Sequence, residues 1–374
     1  MPGPRTTPLH DRHVALGASF TDFGGWLMPV RYSSDLAEHH AVRDAAGLFD
    51  ISHMAEFDVR GAEAAAFLDY ALAGRLSGLT YDQAKYSLVL TPEGGIIDDV
   101  IVYRHCGDRF LVIANAGNRD AVAGALAERS GGFDVAVTDE TDRTALIAVQ
   151  GPRAADIVAA VSGLSEHSAP IAEQRFYRMA HAVFTPAGGG PVTVHLARTG
   201  YTGEDGFELI VPADAAGALW DALMTAGVPL GLVPAGLAAR DTLRLEAGMP
   251  LYGHELGRHI LPAQAGLGRV VAAGKEDFVG RAGLGAVVSP QARVLVGLVS
   301  DGRRAGRAGY AVYAGDSVVG EVTSGALSPT LGHPIAMAFV APTAAASGTE
   351  LTLDVRGTRV PATVTTLPFY RRKQ

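Results

Sequence analysis

Cysteine is almost absent from this sequence of 374 residues, in which Cys106 stands alone. One thiol closes no internal disulfide and builds no thiolate metal cluster by itself, which fits a reducing compartment. At the end of the strand-like Val100-Ile-Val-Tyr-Arg-His-Cys106 it reads as a small packing or loop residue. Long apolar runs are missing too. No stretch reaches the ~18 uninterrupted apolar residues that span a bilayer, and Met1-Pro-Gly-Pro-Arg-Thr-Thr-Pro8 has neither the apolar core of a secretory signal nor the Arg/Ser-rich run of a transit peptide. The chain therefore reads as soluble and cytoplasmic, with no membrane association. Positive charge is scarce, with 31 Lys+Arg against 39 Asp+Glu and a net charge of -8. That balance argues against a general nucleic-acid binder and points to a small molecule or another protein as partner.

Ligand signatures of the common kinds are also lacking. The twelve histidines show no His-x-x-x-His spacing with an acid between, so no metal site is expected. His53 in Ile51-Ser-His-Met-Ala55 is accompanied by no Asp or Glu in a triad-like context and reads as structural. Gly266-Leu-Gly268 and Gly283-Leu-Gly285 lack the third glycine of a dinucleotide fingerprint, and there is no Gly-Lys-Ser/Thr phosphate loop.

What is present is a well-filled apolar composition, 48% hydrophobic and 19% charged, over a length that suits two or three domains. Asp35 to Gly47 reads as a helix stopped by Gly47, followed by a strand from Leu48; Gly61–Tyr70 reads as a second helix. Lys85–Leu90, Ile96–Tyr103 and Arg109–Ile113 read as a meander of strands, and Gly117–Glu128 and Pro152–Ser162 as further helices, an α+β pattern. Thr185-Pro-Ala-Gly-Gly-Gly-Pro191 reads as a hairpin loop. From Arg293 onward strand follows strand, which predicts a small all-β domain.

Three segments concentrate acids and arginine among glycines: Gly94-Gly-Ile-Ile-Asp-Asp-Val100, Arg198-Thr-Gly-Tyr-Thr-Gly-Glu-Asp-Gly-Phe-Glu-Leu209 and Pro234-Ala-Gly-Leu-Ala-Ala-Arg-Asp-Thr-Leu-Arg-Leu245. Glycines that keep side chains out of the way suit a pocket for a flat, anionic, nitrogen-rich ligand. Asp98 and Asp99 are strand neighbours, so only one faces a given pocket while the other meets solvent or caps a turn. The pair reads either as a solvated turn or as one enclosed carboxylate with a raised pKa. Phe207, Leu209, Ile210 and Val211 begin a buried strand that carries Glu208. That residue is either the polar face of an edge strand or a carboxylate for a ligand's donors, and Arg240 is either a helix-surface charge or a fork for a ligand carboxylate.

These three segments resemble the folate-binding motifs of the glycine-cleavage T-protein family of aminomethyltransferases. The resemblance extends through Asp22-Phe-Gly-Gly-Trp-Leu-Met-Pro29, Phe49-Asp-Ile-Ser-His-Met54, Ala148-Val-Gln-Gly-Pro152, Leu243-Arg-Leu-Glu-Ala-Gly248, Val319-Gly-Glu-Val-Thr-Ser-Gly-Ala-Leu-Ser-Pro-Thr-Leu-Gly332 and Pro368-Phe-Tyr-Arg371, in the family's order. It implies three domains around a central folate site: residues 1–54 with 140–240, residues 55–139 with 241–278, and a C-terminal β-barrel over 279–374. It implies transfer of the methylene carbon of an aminomethyl-lipoyl H-protein to tetrahydrofolate, the co-substrate, with release of ammonia. Asp99 would then be the catalytic acid-base residue, Glu208 would hold the pteridine and Arg240 the folate tail, with Asn115, Tyr86, Tyr201, Met54 and Tyr370 lining the pocket. Arg269, His254 and Ala238 depart from the family's usual tryptophan, glutamine and glycine. Two alternatives are a folate-dependent demethylase of the same fold, against which the intact Tyr201–Gly206 run and the Asp pair weigh, and a folate-binding iron–sulfur assembly protein, whose Lys-Gly-Cys-Tyr motif is missing here.

Overall fold

A computed structural model describes residues 3–165, 167–285 and 291–372. The chain divides into two compact units. One comprises Met1–Ala71, Leu76–Tyr86 and Val100–Arg240, and the other Leu72–Arg75, Ser87–Asp99 and Asp241–Gln374.

The first unit is built on a seven-stranded sheet in the order Leu164–Ser165, Met179–Phe184, Val192–Ala197, Gly206–Pro212, Thr144–Gln150, Ala46–Asp50, Leu232–Pro234. Its one parallel pair is Leu232–Pro234 beside Ala46–Asp50. Val149, Leu209, Phe207 and Leu196 on these strands are buried against Trp220, Leu219 and Leu223 of the helix Ala216–Gly227. Each such side chain removed from water is worth roughly 1.5–3 kcal/mol, which is why the apolar runs of the sequence end up here. The loop Thr185–Pro191 joins Met179–Phe184 to Val192–Ala197 as an antiparallel hairpin, as its glycines predict.

A second sheet runs Gln83–Leu90, Ile96–Cys106, Arg109–Ala114, Ala55–Arg60, Ala136–Asp139. Its first three strands are sequential neighbours, the expected meander. The helices Ala64–Ala71, Arg119–Arg129 and Ala154–Ala159 match the helical runs read from the sequence; each starts two or three residues later, the first two end one residue later and the third ends three residues earlier.

One boundary differs. The helix Asp35–Asp44 begins at Ser34, whose hydroxyl accepts the Ala37 N–H at 3.1 Å, but it ends at Asp44, and Gly47 lies inside the strand Ala46–Asp50. Gly47 is therefore no helix stop. A Cβ there would stand 2.5 Å from Val42 Cγ2, so its glycine serves close packing of strand on helix.

In the second unit, Val294–Val299, Pro334–Val340, Ser317–Leu327, Ala311–Ala314, Glu350–Val355 and Thr358–Thr365 close into a barrel. The last of these strands was not read from the sequence, because Pro361 and Arg359 interrupt its alternation. Its interior is filled by small and branched residues such as Val312, Val322, Ala338, Leu353 and Val364.

Candidate functional site

The strand Gly206–Pro212 sits in the middle of the seven-stranded sheet, not at its edge, and Glu208 is only partly exposed there. This corrects the edge-strand reading of Glu208. Its Oε2 accepts from the Thr199 hydroxyl and lies 3.5 Å from the Tyr103 hydroxyl. Burial raises the Glu208 pKa above the ordinary carboxylate range, while the Thr199 hydrogen bond, the Arg240 charge and the Tyr103 hydroxyl pull it back. Tyr103, fully buried, is itself pushed well up by burial and by the Glu208 charge, so it stays a neutral donor.

Arg240 closes the same place. Its guanidinium lies 4.5 Å from the Tyr201 ring centroid, a cation–π stack that holds the side chain over the loop. Glu208, Arg240, Tyr201, Thr202, Gln150 and Ile51 line one narrow notch of about 10 Å³ free volume. That is room for about one water, so the notch grips an edge of a ligand and does not enclose a whole one.

The glycines of this segment have another purpose than the one expected. A Cβ at Gly200 would lie 1.9 Å from Gln150 Oε1, and one at Gly206 would lie 2.3 Å from Gln150 Nε2. The space they leave is filled by Gln150, whose amide donates to the Thr199 carbonyl at 3.0 Å and accepts from the Thr202 hydroxyl at 2.9 Å. The neighbouring acids are likewise committed: Glu204 pairs with buried Arg43 at 2.8 Å, and Asp205 takes a two-toothed contact from Arg198 at 2.9 and 2.6 Å. Of the three carboxylates in the motif, Glu208 is the one that meets only hydroxyls and a stacked arginine in these bonds.

Other expected residues of this unit take places on the same framework. Met54 follows the turn Ile51–Met54 after the strand Ala46–Asp50. Beside it His53 is buried, and neither of its ring nitrogens has a hydrogen-bond partner among the described residues. Burial and the Arg240 charge lower its pKa to about 3, against the Asp50 charge, so it is neutral, and its ring stands edge-on to Phe23. Asn115 precedes the short turn Ala116–Asn118, its carbonyl accepting the Asn118 N–H at 2.9 Å, and Tyr86 lies on the strand Gln83–Leu90.

In the second unit, Asp98 is fully buried and Asp99 half-buried, on opposite faces of the strand Ile96–Cys106. The solvated-turn reading fails for Asp98. Both charges raise the pKa of Tyr252, after burial, while Arg258 opposes them. Gly95 is required by the backbone: a Cβ there would stand 1.8 Å from the Arg258 carbonyl. Tyr370 donates its N–H to the Glu246 carbonyl at 2.8 Å. His254 donates from Nδ1 to the Thr323 carbonyl at 2.8 Å, with the Ser324 hydroxyl 3.5 Å from the same nitrogen.

Residues 9–275 match the GCVT N-terminal domain and residues 293–371 the glycine cleavage T-protein C-terminal barrel domain. The chain belongs to the glycine cleavage T-protein family. It is 58% identical to an aminomethyltransferase of Cutibacterium acnes, over 98% of this chain and 99% of that one. It is 44% identical to that of Moorella thermoacetica over 98% of both. The crystal structure of glycine cleavage system aminomethyltransferase T from Bartonella henselae is similar to it with a TM-score of 0.87, 36% identity and 99% of each chain covered. The chain is thus an aminomethyltransferase with the mixed α/β architecture and C-terminal barrel of that family, and neither the demethylase nor the iron–sulfur assembly reading is needed. No helix among the described residues is long and apolar enough to cross a membrane.

Proposed function

We propose that the chain transfers the methylene carbon of an aminomethyl-lipoyl H-protein to tetrahydrofolate, releasing ammonia, and that the Glu208–Arg240 notch grips the pteridine edge. The observation that carries this is the pairing of one part-buried carboxylate with one stacked guanidinium in a notch of ligand-edge size. A pteridine presents two N–H donors beside a ring carbonyl. The carboxylate takes the donors and the guanidinium meets the carbonyl, each a charge-assisted bond. Because Arg240 shares the notch with Glu208, its placement supports a role at the ring rather than at the folate tail, which lies at the far end of the ligand.

Asp99 is the proposed acid-base residue. Transfer puts two folate nitrogens on the S–CH2–NH2 carbon and breaks both its C–N and its C–S bond; the two folate N–H protons end on ammonia and on the dihydrolipoyl thiol, and the half-buried Asp99 carboxylate carries a proton between the folate nitrogen and the leaving amine while the protein aligns the two substrates. Tyr86, Asn115, Met54, Tyr201 and Tyr370 are proposed as pocket walls. Ammonia release from aminomethylated H-protein in the presence of tetrahydrofolate is the direct test, and a chain that released none would refute the reading. Arg240→Ala is expected to weaken a tail-less pteridine fragment as much as the intact folate. A loss confined to the intact folate would return Arg240 to the tail.

A further inference from the structure

Away from the Glu208 notch, three imidazoles converge where the two sheets of the first unit meet. His181 and His195 are registered partners on the antiparallel strands Met179–Phe184 and Val192–Ala197, and His105 comes from the strand Ile96–Cys106. Ring centroids lie 4.6 Å apart for His105 and His195, and 4.8 Å apart for His181 and His195. One nitrogen from each of the three rings lies within 4.8 Å of the other two. His181 and His195 approach through their Nδ1 atoms at 2.8 Å, and His181 Nε2 stands 3.0 Å from Asp82 Oδ1.

A chain of hydrogen bonds explains two rings and not the third. His181 gives its Nε2 proton to Asp82 and accepts at Nδ1 from His195. The Nδ1 of His105 is buried with no hydrogen-bond partner among the described residues, in a residue only 6% exposed. An imidazole nitrogen withdrawn from water with nothing to bond is uncommon unless something else occupies its lone pair.

We propose that His105, His181 and His195 form a binding site for a divalent transition metal of the zinc type. Tetrahedral zinc at ~2.0–2.1 Å from its ligands sets nitrogens about 3.3 Å apart, so the His181–His195 pair would open by about 0.5 Å and His105 would swing inward. His181 ligating through Nδ1 leaves its Nε2–H on the Asp82 carboxylate, the carboxylate–histidine–metal arrangement that fixes a ligand ring. Three imidazoles favour zinc, cobalt, nickel or copper over magnesium or calcium. They also leave a fourth position free. A cavity of about 250 Å³, lined by His105, His195, Glu56, Arg60, Arg109 and Arg143, adjoins it and admits water or a small anion.

The test is metal uptake by the full-length protein after treatment with a chelator. Calorimetric titration with zinc chloride is expected to show one equivalent bound, and one equivalent of cobalt(II) to give the strong visible absorption of a four-coordinate site. His181→Gln with His195→Gln should abolish that stoichiometric uptake. Asp82→Asn should keep the stoichiometry and weaken zinc about 10–100-fold. Asp82 has a positive φ of 59°, which asparagine tolerates, so this variant keeps the fold and serves if the double variant does not. No uptake by the unmodified protein, a six-coordinate cobalt spectrum, or an Asp82→Asn affinity equal to the original would leave only a hydrogen-bonded histidine cluster and overturn the proposal.

Discussion

In the second unit Arg244 donates to Glu255 at 3.0 Å, to Asp241, to the Ser324 hydroxyl at 2.8 Å and to the Met249 carbonyl. Glu246, fully buried beside it in sequence, accepts from the Ser328 and Thr330 hydroxyls and the Thr330 N–H. In the first unit Glu208 meets two hydroxyls, the Arg240 guanidinium stands 4.5 Å from the Tyr201 ring centroid, and both line one notch. Both regions place arginine and glutamate in apolar surroundings. Where the fork and the carboxylate bond each other and their remaining valences are filled, the pair holds the chain together. Glu208, by contrast, accepts from neutral hydroxyls rather than from an arginine fork, and it lines an open notch.

The largest effect expected from breaking this contrast lies on the structural side. Arg244→Met leaves Glu255 buried without its cation and should cost about 3–5 kcal/mol of unfolding free energy, read by denaturant titration. Loss of activity without loss of stability would mean that Arg244 is not the anchor its bonds suggest. Next comes Asp99→Asn, expected to lower kcat about 10²-fold or more with little change in folate affinity. Asp98→Asn should act on stability instead, since Asp98 is the fully buried member. Should Asp98→Asn depress turnover more at equal stability, the two roles are exchanged.

A third effect is graded by pH. The folded Glu208 has a raised pKa, so it takes up a proton at a higher pH than a free carboxylate does, and only the charged form accepts both pteridine donors. Folate affinity should therefore fall as pH drops through that raised value, by up to ~10-fold per pH unit, beginning above the usual range of about 4.3. Glu208→Gln should bind weakly at every pH and show no such slope; a slope that persists in the variant assigns it to another group. The smallest effect concerns Arg303 and Arg304, exposed in the turn Asp301–Arg307, where Arg307 donates to the Gly325 carbonyl at 3.1 Å. Charge reversal at both should raise the apparent KM for H-protein a few-fold at low salt and less at high salt. A KM that does not move leaves the loop as solvated surface.

Helices and strands were legible where apolar periodicity was strong, as in Ile96–Cys106 and in the barrel. The purpose of the glycines was not, because a residue without a side chain carries no mark of what fills its place. Gly200 and Gly206 became intelligible only once Gln150, some fifty positions away, was seen between them. Glu208 and Arg240 were legible as candidates from their motifs, yet their meeting in one notch depends on how a strand and a helix pack, which no local spacing encodes. The histidine cluster escaped for the same reason. His181 and His195 are fourteen positions apart on paired strands and His105 lies on another sheet, so a search for ligands one helical turn apart passes over them.

The seven-stranded sheet ends on one side in Leu164–Ser165, two residues among those described, and on the other in Leu232–Pro234, three residues closed by a proline. The barrel has no ends at all. Strand edges are where one chain templates another into aggregates, and short, proline-bearing or absent edges remove the template. The seven-stranded sheet and the barrel consequently offer a second copy little edge to zip onto, and lengthening either terminal strand of that sheet is the change that would supply one.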